Sequence, residues 1–444
     1  MKKIIMLLTM VLCITLSADA KPKTDIIGEV LDEFGVDRNS IAISIKSYDG
    51  KPIYELNEKI LMNPASVQKL LTTPVAAETL GVDYEFSTDL YSKGDGKYLI
   101  KLGADPYLSS KDLKSLISVI DKTEPQKLFI DDSVVDNKTW GEGWQWDDDM
   151  NVLMPRFGAY NLDKNLIKIT IMPTQNGQPA TVINPSQYPL VFFNNVMTGE
   201  KTSVKVVRDN AISANTLVLS GTVNKPKTIY IPSNNLKRYF NVQLSRALEE
   251  KSIYFKDLMI KGKVEENDVL ENSVKHSISF AINDTLKNSD NRVSETIFKL
   301  AGAKHSGLAT GTDVAGIKMF NDYCMKNNLD NSRIRIADAS GVSKNNLVSA
   351  NFITEFLLLN KNNDILQNLP SPGSGTLTHR MLPIKNNLKA KTGTLADISS
   401  IAGLLKTKNG KDYVFCIMTN DMKLSASDKK MLEDFIIREM YFKL

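Results

Sequence analysis

The pattern of apolar and polar positions near the start of the chain predicts a β-hairpin followed by a helix. Residues 41–45 alternate isoleucine with small or polar side chains, residues 48–51 suit a turn, and residues 52–56 can form the returning strand. A helical pattern then runs to a stop at Gly81. Pro74 lies inside this pattern and is expected to kink or divide the helix, because proline lacks an N–H donor.

The middle of the chain, from about residue 84 to 264, has a different pattern. Helical periodicity occurs there only near 112–120 and 242–248, and Gly, Pro, Asn and Asp separate short strand-like runs. These runs are residues 98–102, 128–131, 166–172, 204–207, 216–219 and 228–231. The pattern predicts one or two β-rich domains.

Helical periodicity returns near residue 273. Two predicted helices, 273–287 and 292–302, flank a polar connection, and two predicted strands, 400–405 and 413–418, precede a last amphipathic helix. The α-rich ends of the chain are therefore predicted to form one domain, into which the β-rich middle is inserted.

Composition and charge narrow the class of protein. The chain has 444 residues, of which 42% are hydrophobic and 24% charged, and this length suits roughly three domains of about 150 residues. The formal charge of +4 arises from 55 basic and 51 acidic residues. Because no block of basic residues stands out, no nucleic-acid partner is expected.

Residues 1–20 are predicted to be a signal peptide. Two lysines precede a short apolar run, and Ala18-Asp19-Ala20 is a small-x-small cleavage pattern. The apolar run is shorter than the ~20 residues that span a bilayer. The protein is therefore predicted to be exported and soluble, with a loose association with the membrane surface left open.

The numbers and positions of cysteine and histidine argue against a Ser-His-Asp catalytic site and a zinc site. Cys324 and Cys416 remain after the predicted signal peptide, and two buried thiols are expected, with one disulfide as the alternative. His276 and His305 fall in helical patterns and His379 in a loop, so a Ser-His-Asp site is not expected. The wide spacing of these residues predicts no zinc site, and no cofactor is expected.

A lysine is the remaining candidate base for a serine nucleophile. Ser66 and Lys69 lie one helical turn apart at the start of the predicted helix, so the amine can accept the hydroxyl proton if its pKa is lowered. This spacing alone is weak evidence, because a helix-capping serine and a solvated lysine would give the same pattern.

Two further motifs strengthen the hypothesis. The K-T-G at 391–393 falls just before a predicted strand, where a lysine, a hydroxyl and a bare glycine can bind a carboxylate and let a ligand backbone approach. An ordinary charged strand end is the alternative. The S-D-N at 289–291 lies between two predicted helices, where a serine can relay a proton and an asparagine can hold a carbonyl. A pair of helix caps is the alternative here.

These three motifs, in this order, are the signature of penicillin-binding proteins and class A β-lactamases. The chain further resembles the D-alanyl-D-alanine carboxypeptidase/endopeptidase family of the penicillin-binding protein 4 type, peptidase family S13. The resemblance lies in residues 64–72, 141–148, 338–343, 375–377 and 390–395, and the likeness runs from about residue 41 to the C-terminus. The long interval between Ser66 and Ser289 fits this family better than a class A β-lactamase.

The resemblance implies an α+β fold. Its core would be a penicillin-recognising, serine transpeptidase-like domain, in which helices flank an antiparallel sheet, with inserted β-rich domains. The predicted boundaries are 21–83 and 265–444 for the catalytic domain, 84–164 and 241–264 for the inserted domain, and 165–240 for a second, nested β-rich domain.

The resemblance also implies a serine DD-peptidase that acts on peptidoglycan stem peptides ending in D-Ala-D-Ala. Lys69 would take the proton of Ser66, which becomes acylated, and β-lactams would acylate it as covalent inhibitors. Ser289 would return a proton to the leaving amine, assisted by Lys69 or Lys391. The remaining implied contacts are Asn291 with the peptide, Lys391 and Thr392 with the terminal carboxylate, Gly393 beside the ligand backbone, and the N–H groups of Ser66 and Thr394 with the oxyanion.

Recognition of the diamino acid in the stem is assigned to two surface positions. Asp148, with Asp147 as the alternative, is implied to contact its amine, although a solvated acidic turn explains these residues equally well. Lys344 stands where the family often has arginine. Because lysine lacks the bidentate fork of arginine, selectivity for the diamino acid is left open.

Two other functions remain open on the sequence alone. The chain would be a β-lactamase if it released penicillin rapidly, or a non-catalytic wall-binding protein if it kept the fold without turnover. Persistent labelling by a fluorescent penicillin and release of D-alanine from a pentapeptide would separate these cases. A periplasmic location is expected, whereas the preference between carboxypeptidase and endopeptidase activity is not determined by the sequence.

Overall fold

The computed structural model describes residues 25–123 and 125–444, so the predicted signal peptide lies outside the described residues. The strands are β1 (Ile41–Ser47), β2 (Pro52–Leu56), β3 (Glu85–Gly94), β4 (Lys97–Lys101), β5 (Lys127–Asp131), β6 (Leu166–Met172), β7 (Thr181–Ile183), β8 (Val191–Thr198), β9 (Ser203–Arg208), β10 (Thr216–Val223), β11 (Lys227–Pro232), β12 (Asp257–Lys261), β13 (Val269–Ser277), β14 (Leu388–Thr394), β15 (Ser399–Lys406) and β16 (Asp412–Thr419). The α-helices are α1 (Ile26–Glu33), α2 (Lys69–Leu80), α3 (Ser110–Leu116), α4 (Leu236–Glu250), α5 (Ile278–Leu286), α6 (Asn291–Ser306), α7 (Asp313–Lys326), α8 (Ala350–Asn360) and α9 (Ala426–Lys443).

A five-stranded antiparallel sheet joins the two ends of the chain, in the order β14-β15-β16-β1-β2. The predicted hairpin is confirmed as β1 and β2, and the predicted C-terminal strands as β15 and β16. Successive side chains of β1 lie on opposite faces of this sheet. Ile41, Ile43 and Ile45 pack in a core with residues of α1 and α9, whereas Ser44 Oγ lies 2.8 Å from Thr354 Oγ1 on α8. Helices therefore cover both faces of this sheet.

The helix that follows the hairpin is continuous. A 3₁₀ turn, Ala65–Gln68, leads into α2, which ends at Gly81 with a φ of +89°. Of the two outcomes expected at Pro74, division of the helix is wrong, because Pro74 lies inside α2, whereas a kink stays a prediction. The helix is almost entirely buried and packs against α5, α6 and α7. We attribute its continuity to this packing, which outweighs the hydrogen bond lost at proline.

The predicted helix over 273–287 is wrong in its first part. Val269–Ser277 form β13, which pairs with β3, and α5 begins only at Ile278, where Ser277 is the N-cap. His276 therefore lies on a strand, with its Nδ1 2.6 Å from Asp105 Oδ2. Apolar residues over so short a stretch fit a strand as well as a helix, and β3 supplies the backbone partners.

Three further sheets occupy the middle of the described chain, as its β-rich pattern predicts. One has the order β12-β5-β4-β3-β13, and the other two are β8-β10-β9 and β11-β6-β7. The two predicted helices of this region correspond to α3 and α4. The predicted domain boundary between 264 and 265 passes between β12 and β13, which are opposite edges of one sheet. The domain boundaries themselves stay predictions.

Cys324 and Cys416 are buried free thiols, so the alternative of a disulfide between them is not realised.

Within residues 25–123 and 125–444, none of the helices has the length and apolar character needed to cross a membrane. The same residues bring together no group of three or more His, Cys, Asp or Glu side chains suited to hold a metal ion.

Candidate active site

Ser66 and Lys69 meet at the junction between the 3₁₀ turn and α2. A 3₁₀ helix has three residues per turn, so side chains at i and i+3 align, and Lys69 Nζ lies 3.0 Å from Ser66 Oγ. Ala65, just before the serine, has a φ of +46° that residues other than glycine seldom adopt. Its N–H donates to Asn63 Oδ1 at 2.8 Å. The local fold thus holds this hydroxyl against this amine.

Lys69 is fully buried and has two acceptors besides Ser66. Its Nζ donates to Asn291 Oδ1 and to Ser340 O, each at 2.6 Å. Burial lowers the pKa of Lys69 to about 8, although nearby carboxylates oppose the change. This amine is therefore neutral at a lower pH than that of an ordinary lysine and can then accept a proton.

Two buried carboxylates hold the loop that carries Ser340. Glu295 on α6 accepts from the N–H groups of Ala339 at 3.2 Å and Ser340 at 2.8 Å. Asp338 accepts from the N–H of Gly341 at 2.7 Å. Burial first, and then the charge of Asp338, raises the pKa of Glu295 above its usual range. These contacts orient the Ser340 carbonyl toward the buried amine.

A second hydroxyl–amine pair is formed by Ser289 and Lys391. Lys391 Nζ lies 2.9 Å from Ser289 Oγ and also donates to Thr392 O at 2.8 Å. Lys391 is fully buried, and burial, followed by the charge of Lys69, lowers its pKa well below the usual range. The structure thus brings two buried lysines and two serines into one cluster.

The S-D-N segment does more than cap helices. Asp290 is the N-cap of α6, accepting from the N–H of Val293 at 3.0 Å. Ser289 and Asn291 contact the two buried lysines instead, and Ser289 adopts a φ of +63°. The alternative of a simple pair of helix caps therefore accounts for only one of the three residues.

The K-T-G segment lies within β14, rather than just before a strand as predicted. A Cβ added to Gly393 would lie 2.8 Å from both Pro64 O and Ser66 N, and 2.4 Å from Ser400 Oγ. Only glycine allows β14 to run this close to the 3₁₀ turn. The N–H of Ser66 consequently lies beside the end of β14, where Thr394 follows Gly393.

Thr392 connects this strand to the G-T-L segment at 375–377. Its Oγ1 donates to Thr376 Oγ1 at 2.7 Å, and the N–H of Thr376 in turn donates to Lys287 O at 3.3 Å. The segment thus joins the K-T-G strand to the chain that leads into Ser289.

Residues 141–154, which belong to the β-rich middle of the chain, reach the same cluster. Trp144 Nε1 donates to Asp338 Oδ2 at 2.7 Å, and Asn291 Nδ2 donates to Leu153 O at 2.8 Å. The cluster is therefore built from both ends of the chain and from this inserted segment.

The residues predicted to contact a diamino acid are not bonded to the cluster. Asp148 is half-buried in the 3₁₀ turn Trp146–Met150, and Asp147 and Lys344 are exposed. In the described part of the chain, none of these three side chains forms a hydrogen bond or an ion pair. Their neighbour Asp149 lies 3.5 Å from Arg208 Nη1 on β9.

Comparison with known proteins identifies the family. The model of the D-Ala-D-Ala carboxypeptidase 3 (S13) family matches residues 25–438. This chain belongs to the S13 family. The family predicted from the motifs is therefore confirmed.

Known relatives match most of this S13 chain, and a solved structure shares its fold. It is 25% identical over 409 residues to the D-alanyl-D-alanine carboxypeptidase DacB of Haemophilus influenzae, covering 85% of this chain and 84% of that protein. The crystal structure of penicillin binding protein 4 (dacB) from Haemophilus influenzae matches with a TM-score of 0.81 and 22% identity, over 94% of this chain and 99% of that one. The same protein complexed with a novel β-lactam gives a TM-score of 0.76 and 20% identity over the same shares. These matches confirm the predicted fold class.

Sequence reasoning missed two acidic residues of this S13 site. Glu295 lies four residues after Asn291 on α6, so the two share a helix face, and this spacing is the only signal that pointed to it. Asp338 begins one of the segments that carry the family resemblance, but its type alone does not reveal that it is 4% exposed and bonded to Trp144.

Proposed function

We propose that this S13 chain is a serine D-Ala-D-Ala carboxypeptidase that hydrolyses peptidoglycan stem peptides through an acyl-enzyme at Ser66. Family membership and the carboxypeptidase name of the relative support the substrate. The observation that carries the mechanism is the 3.0 Å distance between Ser66 Oγ and the Nζ of Lys69, whose pKa is lowered to about 8. A neutral amine at this distance can take the hydroxyl proton as the serine attacks the peptide carbonyl.

The N–H groups of Ser66 and Thr394 are our candidates for the oxyanion hole. The close approach of Gly393 to Ser66 N supports this assignment, because it sets the end of β14 beside the nucleophile. Two N–H donors directed at the carbonyl oxygen stabilise the negative charge that develops there, and one such donor contributes about 10²–10³ to kcat in other hydrolases.

Ser289 is our candidate for the proton donor to the leaving group. Its Oγ lies 2.9 Å from Lys391 Nζ, so the proton that Lys69 takes from Ser66 can be passed by way of Lys391 to Ser289 as the leaving D-alanine amine removes the Ser289 proton. This transfer leaves Lys69 neutral again. The peptide C–N bond breaks, and Ser66 remains esterified to the penultimate D-alanine. Water then attacks the ester carbonyl, and Lys69 is placed to accept a proton from that water.

The K-T-G strand is our candidate for the carboxylate site. Lys391 would supply an N–H donor and Thr392 a hydroxyl to the terminal carboxylate of D-Ala-D-Ala, and Gly393 would leave room for the peptide backbone beside the strand. Asn291, which holds Lys69, would also contact the peptide.

Contacts with the diamino acid of the stem remain part of the proposal. The candidate residues are Asp148, with Asp147 as the alternative, and Lys344. Their side chains make no hydrogen bond or ion pair within the described residues, so their charged groups are available to a ligand.

We also propose export to the periplasm, and a loose association with the membrane surface stays open. Both rest on the sequence of residues 1–20 and on the family.

β-Lactams are proposed to acylate Ser66, and the β-lactam complex of the similar penicillin binding protein 4 supports this. A strained cyclic amide presents a carbonyl and a carboxylate to the same groups as D-Ala-D-Ala. If this chain instead cleared a penicillin rapidly through repeated turnover, it would be a β-lactamase.

The decisive test is release of D-alanine from an N-acetylated pentapeptide. The wild type should release D-alanine, and Ser66→Ala should lower kcat/KM by at least 10³-fold because the nucleophile is lost. Ser427→Ala is the matched control, since Ser427 begins another S-x-x-K but is exposed near the start of α9. Equal activity of Ser66→Ala and wild type would contradict the proposal, and mass analysis of digested muropeptides would distinguish carboxypeptidase from endopeptidase products.

A further inference from the structure

A cavity of about 390 Å³ lies beside the segment 141–154 that reaches the candidate active site. Trp146 and Asp149 of this segment line it together with Trp140, Arg156 and Arg208. Arg208 is the last residue of β9, so the cavity opens between the inserted segment and the nested sheets. None of the groups used in the mechanism above lines it.

Arg208 is a buried cation with incomplete pairing. Its side chain is 4% exposed, and its Nε is buried without a hydrogen-bond partner among the described residues. Its Nη2 donates to Pro232 O at 2.6 Å, whereas its Nη1 lies 3.5 Å from Asp149 Oδ2. A buried charge in this state is costly unless an anion completes its pairing.

Arg156 supplies a second cation to the same cavity. Its guanidinium stacks 5.1 Å from the ring centre of Trp140, and it donates one hydrogen bond, to Thr139 Oγ1 at 3.4 Å. In the described chain, no ion pair includes Arg156. Burial lowers the pKa of both arginines, and each also feels Asp149. The cavity therefore holds one buried and one half-buried positive charge against one negative charge.

From this arrangement we infer that the cavity binds a free carboxylate of the stem peptide, upstream of the D-Ala-D-Ala bond that the proposed function cleaves. The planar guanidinium groups match the two oxygens of a carboxylate. Trp146, which is 81% exposed at the cavity, offers an apolar surface to the adjoining part of the peptide. This inference rests on the proposed function and extends its substrate recognition.

The distance along the chain is compatible with this role. Asp149 lines the cavity, and Leu153, four residues later, accepts the hydrogen bond of Asn291. Four residues span at most about 14 Å, so the cavity lies within that reach of the cluster. A carboxylate two or three residues upstream of the cleaved bond lies about 7–10 Å away in an extended peptide.

The test uses two synthetic pentapeptides that differ in one group. Both end in D-Ala-D-Ala, and their second residue is a side-chain-linked glutamate that carries either a free α-carboxylate or the neutral carboxamide. The wild type should hydrolyse the carboxylate peptide with a kcat/KM about tenfold higher. Arg156→Gln should abolish this preference by slowing the carboxylate peptide alone, and Arg156→Lys should restore part of it.

Arg238→Gln is the matched control, because Arg238 lies on the neighbouring helix α4, outside this cavity, and loses the same charge. It should keep the wild-type preference. Acylation by fluorescent penicillin shows for each variant that the Ser66 site is intact. Equal rates of the wild type on both peptides, or an unchanged preference in Arg156→Gln that is still acylated, would overturn the inference. Failure of the wild type on both peptides would refute the proposed function instead.

Discussion

At the scale of single residues, the site depends on keeping two lysines out of water. Lys69 and Lys391 are both fully buried, and each donates to a serine hydroxyl. Burial disfavours a charged amine, and the charge of Lys69 further lowers the pKa of Lys391. Two neighbouring ammonium groups are thus disfavoured. The pair favours a state in which at least one of the two amines is neutral and can act as a base.

This argument predicts the pH dependence of acylation. The pKa of Lys69 is lowered to about 8, and it accepts a proton only as the neutral amine. The second-order rate constant for acylation of Ser66 by fluorescent penicillin should therefore rise about tenfold per pH unit well below pH 8 and level off above it. Stopped-flow measurements from pH 5.5 to 9.5 test this profile. A rate that falls with rising pH over this range would exclude Lys69 as the base.

Much of the site could be predicted from the sequence, because its motifs encode local geometry. The spacing of Ser66 and Lys69 is sufficient to align their side chains in any tight helical turn. Glu295 and Asp338 were not predicted as site residues, because an acidic residue is usually exposed to solvent. Whether a carboxylate is buried depends on tertiary packing. The half-buried Asp148 and the exposed Lys344 stay predictions, since neither side chain has a hydrogen-bond or ion-pair partner among the described residues.

At the scale of elements, the site requires close contact between β14 and the 3₁₀ turn that carries Ser66. Ser400 on β15 secures the same junction by donating from Oγ to Pro64 O at 2.6 Å. Gly393 is the point of closest approach. The sheet therefore determines where the nucleophile stands relative to the K-T-G strand.

Gly393→Ala should separate these two elements. The new Cβ would lie 2.8 Å from Ser66 N and Pro64 O, and Ser400 Oγ is nearer still, so the turn or the strand must move. We expect at least a 10²-fold slower acylation by fluorescent penicillin, with the protein still folded by circular dichroism.

Gly410→Ala is the matched control for this prediction. Gly410 lies in the hairpin between β15 and β16, with a φ of +78° and no atom within 4 Å of an added Cβ. That change strains only its own turn and should lower stability by about 1 kcal/mol without slowing acylation. Equal acylation rates in the two variants would show that the close approach of Gly393 is unimportant.

The elements themselves were predictable where alternation or periodicity was sustained. The predicted strand 166–172 coincides with β6, and the hairpin of β1 and β2 appears where its turn residues place it. β13 was mistaken for the start of a helix because its pairing partner, β3, lies far away in the sequence. Pro74 was expected to kink or divide α2, but α2 is not divided, and its burial among three other helices is not visible in its own sequence.

At the scale of the whole molecule, the inserted segment and the two ends of the chain complete one site. Trp144 is bonded to Asp338, and Leu153 accepts from Asn291, so the segment 141–154 is fastened at two points. Such contacts between residues far apart in sequence cannot be derived from local pattern. They connect the folding of the β-rich middle to the geometry around Lys69.

Trp144→Phe should loosen this connection. The indole N–H donates to a carboxylate oxygen of Asp338 at 2.7 Å, and hydrogen bonds to charged groups contribute about 1.5–3 kcal/mol. Phenylalanine keeps an aromatic ring beside Phe157 but leaves that oxygen with one donor fewer. We expect a thermal midpoint lower by several degrees. We also expect a larger loss of kcat/KM for a pentapeptide than for penicillin, because the longer substrate is proposed to extend along the inserted segment. Trp146→Phe, at a side chain that is 81% exposed, should leave the midpoint unchanged. If scanning fluorimetry gave the same midpoint for both variants, the Trp144–Asp338 contact would not be what fastens the segment to the site.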